Sequence, residues 1–461
     1  MAFGPQPEIE LAEGPGTWNK AFGSNVFTLE NTASGTFDRY VLQIWDKTET
    51  ELIAEVRQQA NLAGRAHFDV ARILQSQLRV HKGLELTLEL ADSDEETLEY
   101  YVKSGYNVQG GVSVIQNTYG PYYVTMGRKE YYEETWNTVP YISEYNAAVG
   151  GNHSITGPAL ALTDYTDEIL KSKLTGGIPT EFSPAAYVGA RVQRIRRNED
   201  FTLSFINEAD IDNGDKHLIA QIRVKSYNGN TLVDDITIDN TFSNGGGPYP
   251  SIFCDPALFY QTHPYLIITT QAGPDALGLS SGITHYYVYW VPQSDTILGC
   301  LSLAPASEIY RFDIDEGECS DFDPIQVSWL NSFGFKDYFT FQKRNDQSIS
   351  ITRETYDQLP GSWQSSLYRI STYDRGSTVS SQSAEETWTL RTRYLEDYEY
   401  EFLKNLFLSP DVYIRQYGDG DWKPVVINTA NWTDRTYRKN KLYQYEITVS
   451  MANKINTQRG S

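Results

Sequence analysis

Strict alternation of apolar and polar residues is the feature that most limits how this chain folds. The clearest example is the segment LYQYEITVSMA, in which Tyr443, Tyr445, Ile447, Val449 and Met451 alternate with polar residues. The segment GLELTLEL, residues 83–90, has the same period of two. Because successive side chains of a strand point to opposite faces of a sheet, this pattern predicts half-buried antiparallel strands.

The length of the chain and its content of aromatic residues extend the prediction of β structure to the whole chain. A single hydrophobic core stops growing at roughly 250–300 residues, so a chain of 461 residues is expected to contain several domains. Aromatic residues make up 13% of the chain, and such residues favour strands. The predicted fold class is mainly β, with serial antiparallel β-sandwich modules, short helices and a C-terminal α+β domain.

Four segments are predicted from changes in pattern along the chain. Residues 1–105 and 191–330 have strand patterns typical of β-sandwich modules, and residues 331–461 form a β-rich domain with one helix at about 396–408. Residues 106–190 are rich in Tyr and Gly and show little alternation. We interpret them as an irregular insertion or arm that a neighbouring subunit orders.

Local signals place several elements within these segments. Strands are predicted at residues 39–45, 52–59, 99–104 and 201–205, and Asp69 is a candidate N-cap of a short helix. Asn228-Gly229 predicts a hairpin turn. Ser409-Pro410 is expected to end the helix at 396–408.

Charge and cysteine content narrow the classes of partner. The formal net charge of −22 argues against nucleic acid, which binds concentrated Lys and Arg. No stretch is apolar enough to predict membrane insertion, and residues 1–14 do not resemble an export signal. Three widely spaced cysteines indicate reduced thiols rather than a disulfide framework.

Motifs for chemistry are weak, so no catalytic, cofactor-binding or metal-binding residue is predicted. The segment GLSSG around Ser280 matches a nucleophile-elbow pattern, but a strand pattern follows it where the elbow needs a helix. The acidic turns at 210–215 and 313–321 have Gly at the wrong position for a calcium loop. The six histidines are too widely spaced to form a local zinc motif.

A run of rings around one glycine, SWLNSFGFKDYFTF, joins two predicted strands. Its rings either seal a junction between domains or form a patch that binds a partner. Further tyrosines lie in the insertion. The candidate interface or junction residues are Trp329, Phe333, Phe335, Tyr338, Phe339, Tyr122, Tyr123, Tyr131 and Tyr132.

Three segments resemble structural proteins of tailed bacteriophages. They are WLNSFGFKDYFTF, RRNEDFTLSF and the C-terminal FLKNLFLSPDVYI, KPVVI and KLYQYEITVSMANKIN. The resemblance covers roughly residues 195–461. These segments are similar to tail-tip, distal-tail and baseplate components. It implies no catalytic residues.

The resemblance implies a virion protein that assembles in the host cytoplasm. It would form a homo-oligomeric ring in the tail tip or baseplate and bind other tail proteins. Two alternatives remain open. One is a tail protein that binds a receptor or a host surface glycan, and the other is a tail enzyme that degrades polysaccharide through a pair of carboxylates.

Overall fold

A computed structural model describes residues 6–16, 18–33, 35–79, 91–92, 97–108, 112–129, 145–147, 153–155, 163–164, 192–206, 219–239, 267–292, 309–315, 322–416, 421–429 and 444–455. The predicted mainly β class is confirmed. The chain divides into two compact units. The first comprises Met1–Glu316 and Leu330–Asp337, and the second comprises Gly317–Trp329 and Tyr338–Ser461. The finer subdivision into sandwich modules stays a prediction.

The N-terminal part of the first unit contains two sheets, a short helix and one further short strand, β7, that pairs with a strand later in the chain. Its elements are β1 (Ile9–Glu13), β2 (Trp18–Phe22), β3 (Val26–Asn31), β4 (Arg39–Asp46), β5 (Leu52–Gln58), β6 (Arg65–Asp69), α1 (Ala71–Gln77), β7 (Ala91–Asp92), β8 (Thr97–Asn107) and β9 (Ser113–Arg128). The sheets have the orders β1-β3-β6 and β2-β9-β8-β4-β5. Their shared core includes Phe27 and Phe68 from the first sheet and Tyr40 and Tyr100 from the second.

The N-cap predicted for the short helix is wrong. Helix α1 has Val70 rather than Asp69 as its N-cap. Asp69 is the last residue of β6 and still pairs with Val26, so the helix starts one residue later than predicted. The Asp69 carboxylate nevertheless accepts a hydrogen bond from the Ala71 backbone N–H.

The insertion predicted to be irregular is not irregular at its start, because residues 113–128 form the long strand β9. It pairs antiparallel with β8 and parallel with β2. Its first half is exposed or half-buried on both faces, and two bulges interrupt its pairing with β8, so the sequence shows no clean alternation. Most of residues 130–191, and the segment GLELTLEL, lie outside the described residues.

The rest of the first unit contains further short sheets. Their strands are β10 (Tyr145–Ala147), β11 (His153–Ile155), β12 (Val192–Ile195), β13 (Thr202–Ile206), β14 (Ile219–Asn228), β15 (Thr231–Asp239), β16 (Ile267–Gln271), β17 (His285–Pro292) and β18 (Tyr310–Ile314). The sheet orders are β12-β18-β17-β14-β15, β13-β16-β7 and β10-β11. The predicted hairpin is confirmed, with Gly229 and Asn230 between the paired residues Asn228 and Thr231.

The second unit is organised around one large sheet. Its elements are β19 (Ile325–Leu330), β20 (Lys336–Phe341), β21 (Asp346–Asp357), β22 (Ser362–Gln364), β23 (Leu367–Arg369), β24 (Ser377–Arg391), α2 (Asp397–Leu408), β25 (Val412–Gln416), β26 (Lys423–Ile427) and β27 (Glu446–Met451). The sheet order is β20-β19-β25-β26-β27-β24-β21, while β22 pairs with β23. The first two residues of β20 and the last residue of β19 belong to the first unit.

The predicted C-terminal helix is confirmed as α2. Glu396 is its N-cap, and a reciprocal capping box joins Glu396 and Glu399. Such a box satisfies backbone N–H groups that have no partner inside the helix. Phe402, Leu403 and Leu406 form the buried face. None of the helices in the described ranges is long and apolar enough to cross a membrane.

Candidate functional site

A two-stranded ribbon extends from the large sheet of the second unit. Strands β21 and β24 pair antiparallel from Asp346 opposite Thr389 to Asp357 opposite Ser377. Strand β27 pairs with β24 only at residues 387–391, and one further bridge joins Ala384 to Ile455. We call residues 349–357 and 377–386 the ribbon. After Asp346, every residue of β21 is exposed.

The ribbon ends in a small folded tip, residues 358–376, which we call the knob. Strands β22 and β23 form its central hairpin, and the backbone N–H of Gln358 donates to the carbonyl of Gly376 at 2.8 Å where the knob joins the ribbon. The Tyr368 hydroxyl donates to the Pro360 carbonyl, and the rings of Trp363 and Tyr368 pack edge to face at 5.5 Å. These contacts join the two ends and the central hairpin of the knob into one folded tip.

The surface of the knob is unusually apolar. Trp363 is 74% exposed and Tyr373 is 79% exposed. Leu359, Leu367 and Ile370 are also more than half exposed. Large exposed apolar patches on soluble proteins commonly mark interaction sites. The knob is therefore the candidate functional site.

The charged residues of the knob are of the types found at protein interfaces. Residues 358–376 contain no Lys and no Glu, but they contain Arg369, Arg375 and Asp374. Both arginines are exposed, and neither forms an ion pair with another described residue. Interfaces are enriched in Trp, Tyr and Arg and depleted in Lys and Glu. The knob has the side chains typical of a binding hot spot.

The rings predicted at the aromatic turn lie inside the protein. Trp329 is fully buried, and its ring centroid is 5.0 Å from that of Phe402 in α2. Phe333, Phe335 and Tyr338 are buried, while Phe339 is half-buried. Burial within the chain favours a structural role for this turn, whereas its role at a domain junction stays a prediction.

The described candidate tyrosines of the insertion are also packed within the first unit. Tyr123 is buried and stacks on Trp18 at 4.6 Å. Tyr122 is half-buried and meets Phe27 edge to face at 5.3 Å. Tyr131 and Tyr132 lie outside the described residues.

The connection between β19 and β20 is held against β9 by close backbone contacts. The Arg128 N–H donates to the Ser332 carbonyl at 2.8 Å, and the Asn331 side chain accepts from the N–H groups of Phe333 and Phe335. Gly334 has a φ of +96°, and a Cβ added there would lie 2.7 Å from the Met126 carbonyl carbon. The turn therefore requires glycine at this position.

Two carboxylates, Asp164 and Asp337, form a second notable cluster in the first unit. The Asp337 carboxylate accepts from the Asp164 backbone N–H at 3.0 Å and from the Thr163 hydroxyl. In return, the Asp164 carboxylate accepts from the Ser332 N–H at 3.0 Å and from the Ser332 hydroxyl. Four hydrogen bonds thus join residues 163–164 to the turn.

Electrostatics keep one of these carboxyls neutral near neutral pH. Burial, together with the negative charge of Asp164, raises the pKa of Asp337 to about 8. Burial also raises the pKa of Asp164, but hydrogen bonds from Ser332 and the positive charges of Lys20 and Arg128 oppose that shift. Because hydrogen bonds within the chain occupy the oxygens of both carboxyl groups, the pair has a structural role and holds residues 163–164 against the β19–β20 turn.

The weak chemical motifs do not converge on a catalytic arrangement among the described residues. Ser280 lies in a turn before strand β17, and its hydroxyl donates to Asp234 at 2.6 Å. Within the described ranges, no group of three or more His, Cys, Asp and Glu side chains is placed to hold a metal ion. The acidic turn at 210–215 and most of the one at 313–321 lie outside those ranges.

The knob was not among the residues predicted from the sequence. A usable signal was present, because residues 358–376 gather Trp363, Tyr368, Tyr373 and several aliphatic residues without a strand or helix period. Ring-rich segments are equally typical of cores, however. Only the three-dimensional arrangement distinguishes exposed rings from buried ones.

The fold and the site define a mainly β protein that carries an apolar knob on a β-ribbon. Comparison with known proteins adds no relative: no protein-family model matches the chain, and no curated protein matches it. The resemblance to phage tail proteins therefore stays a prediction from the motifs.

Proposed function

We propose that this protein is a structural component of a bacteriophage tail, acting as an oligomeric adaptor in the tail tip or baseplate. The observation that carries the proposal is the knob. It presents apolar and aromatic side chains, led by Trp363 and Tyr373, on a folded tip that needs little reorganisation to bind. A site ordered in advance loses less conformational entropy on binding.

The ribbon supports the same role. A two-stranded hairpin is marginally stable by itself in water, so a long exposed one is costly to maintain without a partner. The motifs that resemble those of tail proteins, in the β19–β20 segment and from α2 onward, support other tail proteins as the partners. The protein would assemble in the host cytoplasm and remain in the virion, without an enzymatic role.

Mass spectrometry of purified virions from the phage that encodes this protein tests the proposal. We expect the protein in intact particles at roughly three to twelve copies, as for closed ring oligomers. Immunogold labelling should mark the end of the tail. Absence from washed particles, or the copy number of a capsid or tail-tube protein, would refute the proposal.

Receptor or glycan binding is the second candidate, favoured by the exposed rings of Trp363 and Tyr373. Flat aromatic faces combine apolar area with a polar edge and suit sugar rings as well as proteins. Binding of the purified protein to intact host cells separates the two functions. An adaptor should bind tail proteins but not cells, whereas a receptor-binding protein should bind cells by itself.

A further inference from the structure

We propose that the knob binds an acidic surface on a second copy of this chain, so that copies join head to tail. This inference rests on the proposed structural function and names the first partner of its docking site. It follows from the distribution of charge between the knob and the rest of the chain, together with the exposed rings of the knob.

The knob differs in charge from the protein that carries it. Residues 358–376 contain two arginines and one aspartate, which give a formal charge of +1. The whole chain has a formal charge of −22, so the remaining residues carry −23. A positively charged, apolar tip is therefore complementary to the acidic surface of the same protein and is favoured to meet it on encounter.

The same charges oppose contact between two knobs. Such a contact would bring together Arg369 and Arg375 of each copy, and Asp374 of each copy balances only half of that positive charge. The favoured contact joins two different surfaces, the knob of one copy and the acidic surface of the next. Contacts of this kind form a ring if the rotation between copies closes, and a filament if it does not.

Exposed apolar side chains supply the apolar part of the contact. Leu359, Ile370 and Tyr373 are exposed, and no ring contact holds Tyr373 within the described residues. Trp363, in contrast, packs on Tyr368 and helps to form the knob itself. Replacing Leu359, Ile370 and Tyr373 with serine should therefore remove the binding surface and leave the knob folded.

Two variants and two matched controls test the proposal in the full-length chain. The apolar variant is Leu359→Ser with Ile370→Ser and Tyr373→Ser, and its control is Tyr394→Ser, another exposed ring of the second unit. The charge variant is Arg369→Glu with Arg375→Glu. Its control is Arg72→Glu with Arg79→Glu, which changes the net charge equally at exposed positions in or beside α1.

Sedimentation velocity of each protein measures self-association. We expect the wild type and both controls to form oligomers at low salt, and both knob variants to associate at least about tenfold more weakly, as hot-spot substitutions do. Raising the salt to about 0.5 M should weaken wild-type association, because ions screen exposed charges. Knob variants that assemble like the wild type would overturn the proposal.

Mixing experiments determine whether the contact joins unlike surfaces. The apolar variant keeps the acidic surface, so it should accept the knob of a wild-type copy but offer no knob in return. Added in equal amount, it should shorten wild-type assemblies and appear within them. Exclusion of the variant from wild-type complexes would show that knobs pair with each other, which overturns the head-to-tail arrangement.

Two outcomes separate this inference from the proposed function. If the wild type is monomeric but present in virions, and the knob variants are lost from them, the knob binds another tail protein; the inference fails and the structural function stands. If the knob instead mediates binding to host cells and the protein is absent from purified virions, both fail.

Discussion

The carboxylate of Asp337 accepts a hydrogen bond from the backbone N–H of Asp164 at 3.0 Å, although 173 positions separate them in the chain. Asp164 returns the contact through its own carboxylate, which binds the N–H and hydroxyl of Ser332. Two acidic side chains thus hold a distant segment against the β19–β20 turn. Because burial, and then the negative charge of Asp164, raise the pKa of Asp337, the stability of the first unit is expected to depend on pH.

Replacing Asp337 with Asn is expected to reduce that pH dependence. The pKa of Asp337 is about 8 in the folded protein and about 3.9 in the unfolded chain. Between these pH values the folded protein therefore binds one more proton than the unfolded chain does. The free energy of unfolding therefore falls by up to about 1.4 kcal/mol per pH unit over that window, and the loss is complete above pH ~8. Asn mimics the protonated carboxyl and removes this contribution.

Thermal denaturation between pH 5 and 9 checks this expectation. The difference in melting temperature between Asp337→Asn and the wild type should grow in favour of the variant as the pH rises. Asp275→Asn, an exposed change of the same charge in the same unit, should follow the wild type. Parallel curves for wild type and Asp337→Asn would show that Asp337 is already ionised at pH 5.

Trp329→Ala is expected to destabilise the second unit strongly. Its side chain is fully buried against Phe402, and truncating a buried aromatic residue costs about 3–5 kcal/mol. Its indole N–H is also buried without an acceptor among the described residues. Trp329→Phe should therefore cost much less, because it keeps a ring and removes the unsatisfied donor.

Urea denaturation of both Trp329 variants supplies the measurement. Normal stability of Trp329→Ala combined with failed assembly would indicate instead that this residue serves an interface.

The ion pair between Arg393 and Glu399 is expected to show strong coupling. Both side chains are mostly buried, with exposures of 13% and 4%, and two hydrogen bonds join them. Glu399 also accepts from the Glu396 N–H at the start of α2. Removing one partner leaves a buried charge, so Glu399→Ala should cost about 3–5 kcal/mol.

A double-mutant cycle with Arg393→Ala measures that coupling. The double variant should be more stable than the sum of the single effects implies, since neither charge then remains unpaired. Additive effects would mean that solvent already screens the pair.

Gly334→Ala is expected to destabilise the first unit more than Gly229→Ala. Both glycines have positive φ, at +96° and +58°, which costs an alanine about 1–2 kcal/mol. Only Gly334 is crowded, because its Cβ would approach the backbone of Met126 and Gly127, whereas nothing lies within 4 Å at Gly229. Equal melting temperatures for the two variants would show that β9 moves to make room.

Local features of the chain were predictable because their causes lie within a few residues. Alternation identified strands such as β13 and β27, and helix α2 was predicted from its apolar face and the proline after it. The β14–β15 hairpin followed from Asn228-Gly229, since glycine readily adopts the positive φ that a tight turn needs.

Tertiary structure alone decided which rings are buried and which are exposed. Trp329 and Trp363 both lie in ring-rich segments, yet Phe402 of α2 packs against the fully buried Trp329, while Trp363 on the knob is 74% exposed. Strand β9 and the Asp164–Asp337 pair likewise depend on partners far away in the chain. Hydrophobic pattern sets local structure, but burial and pKa depend on what the folded chain brings alongside each residue.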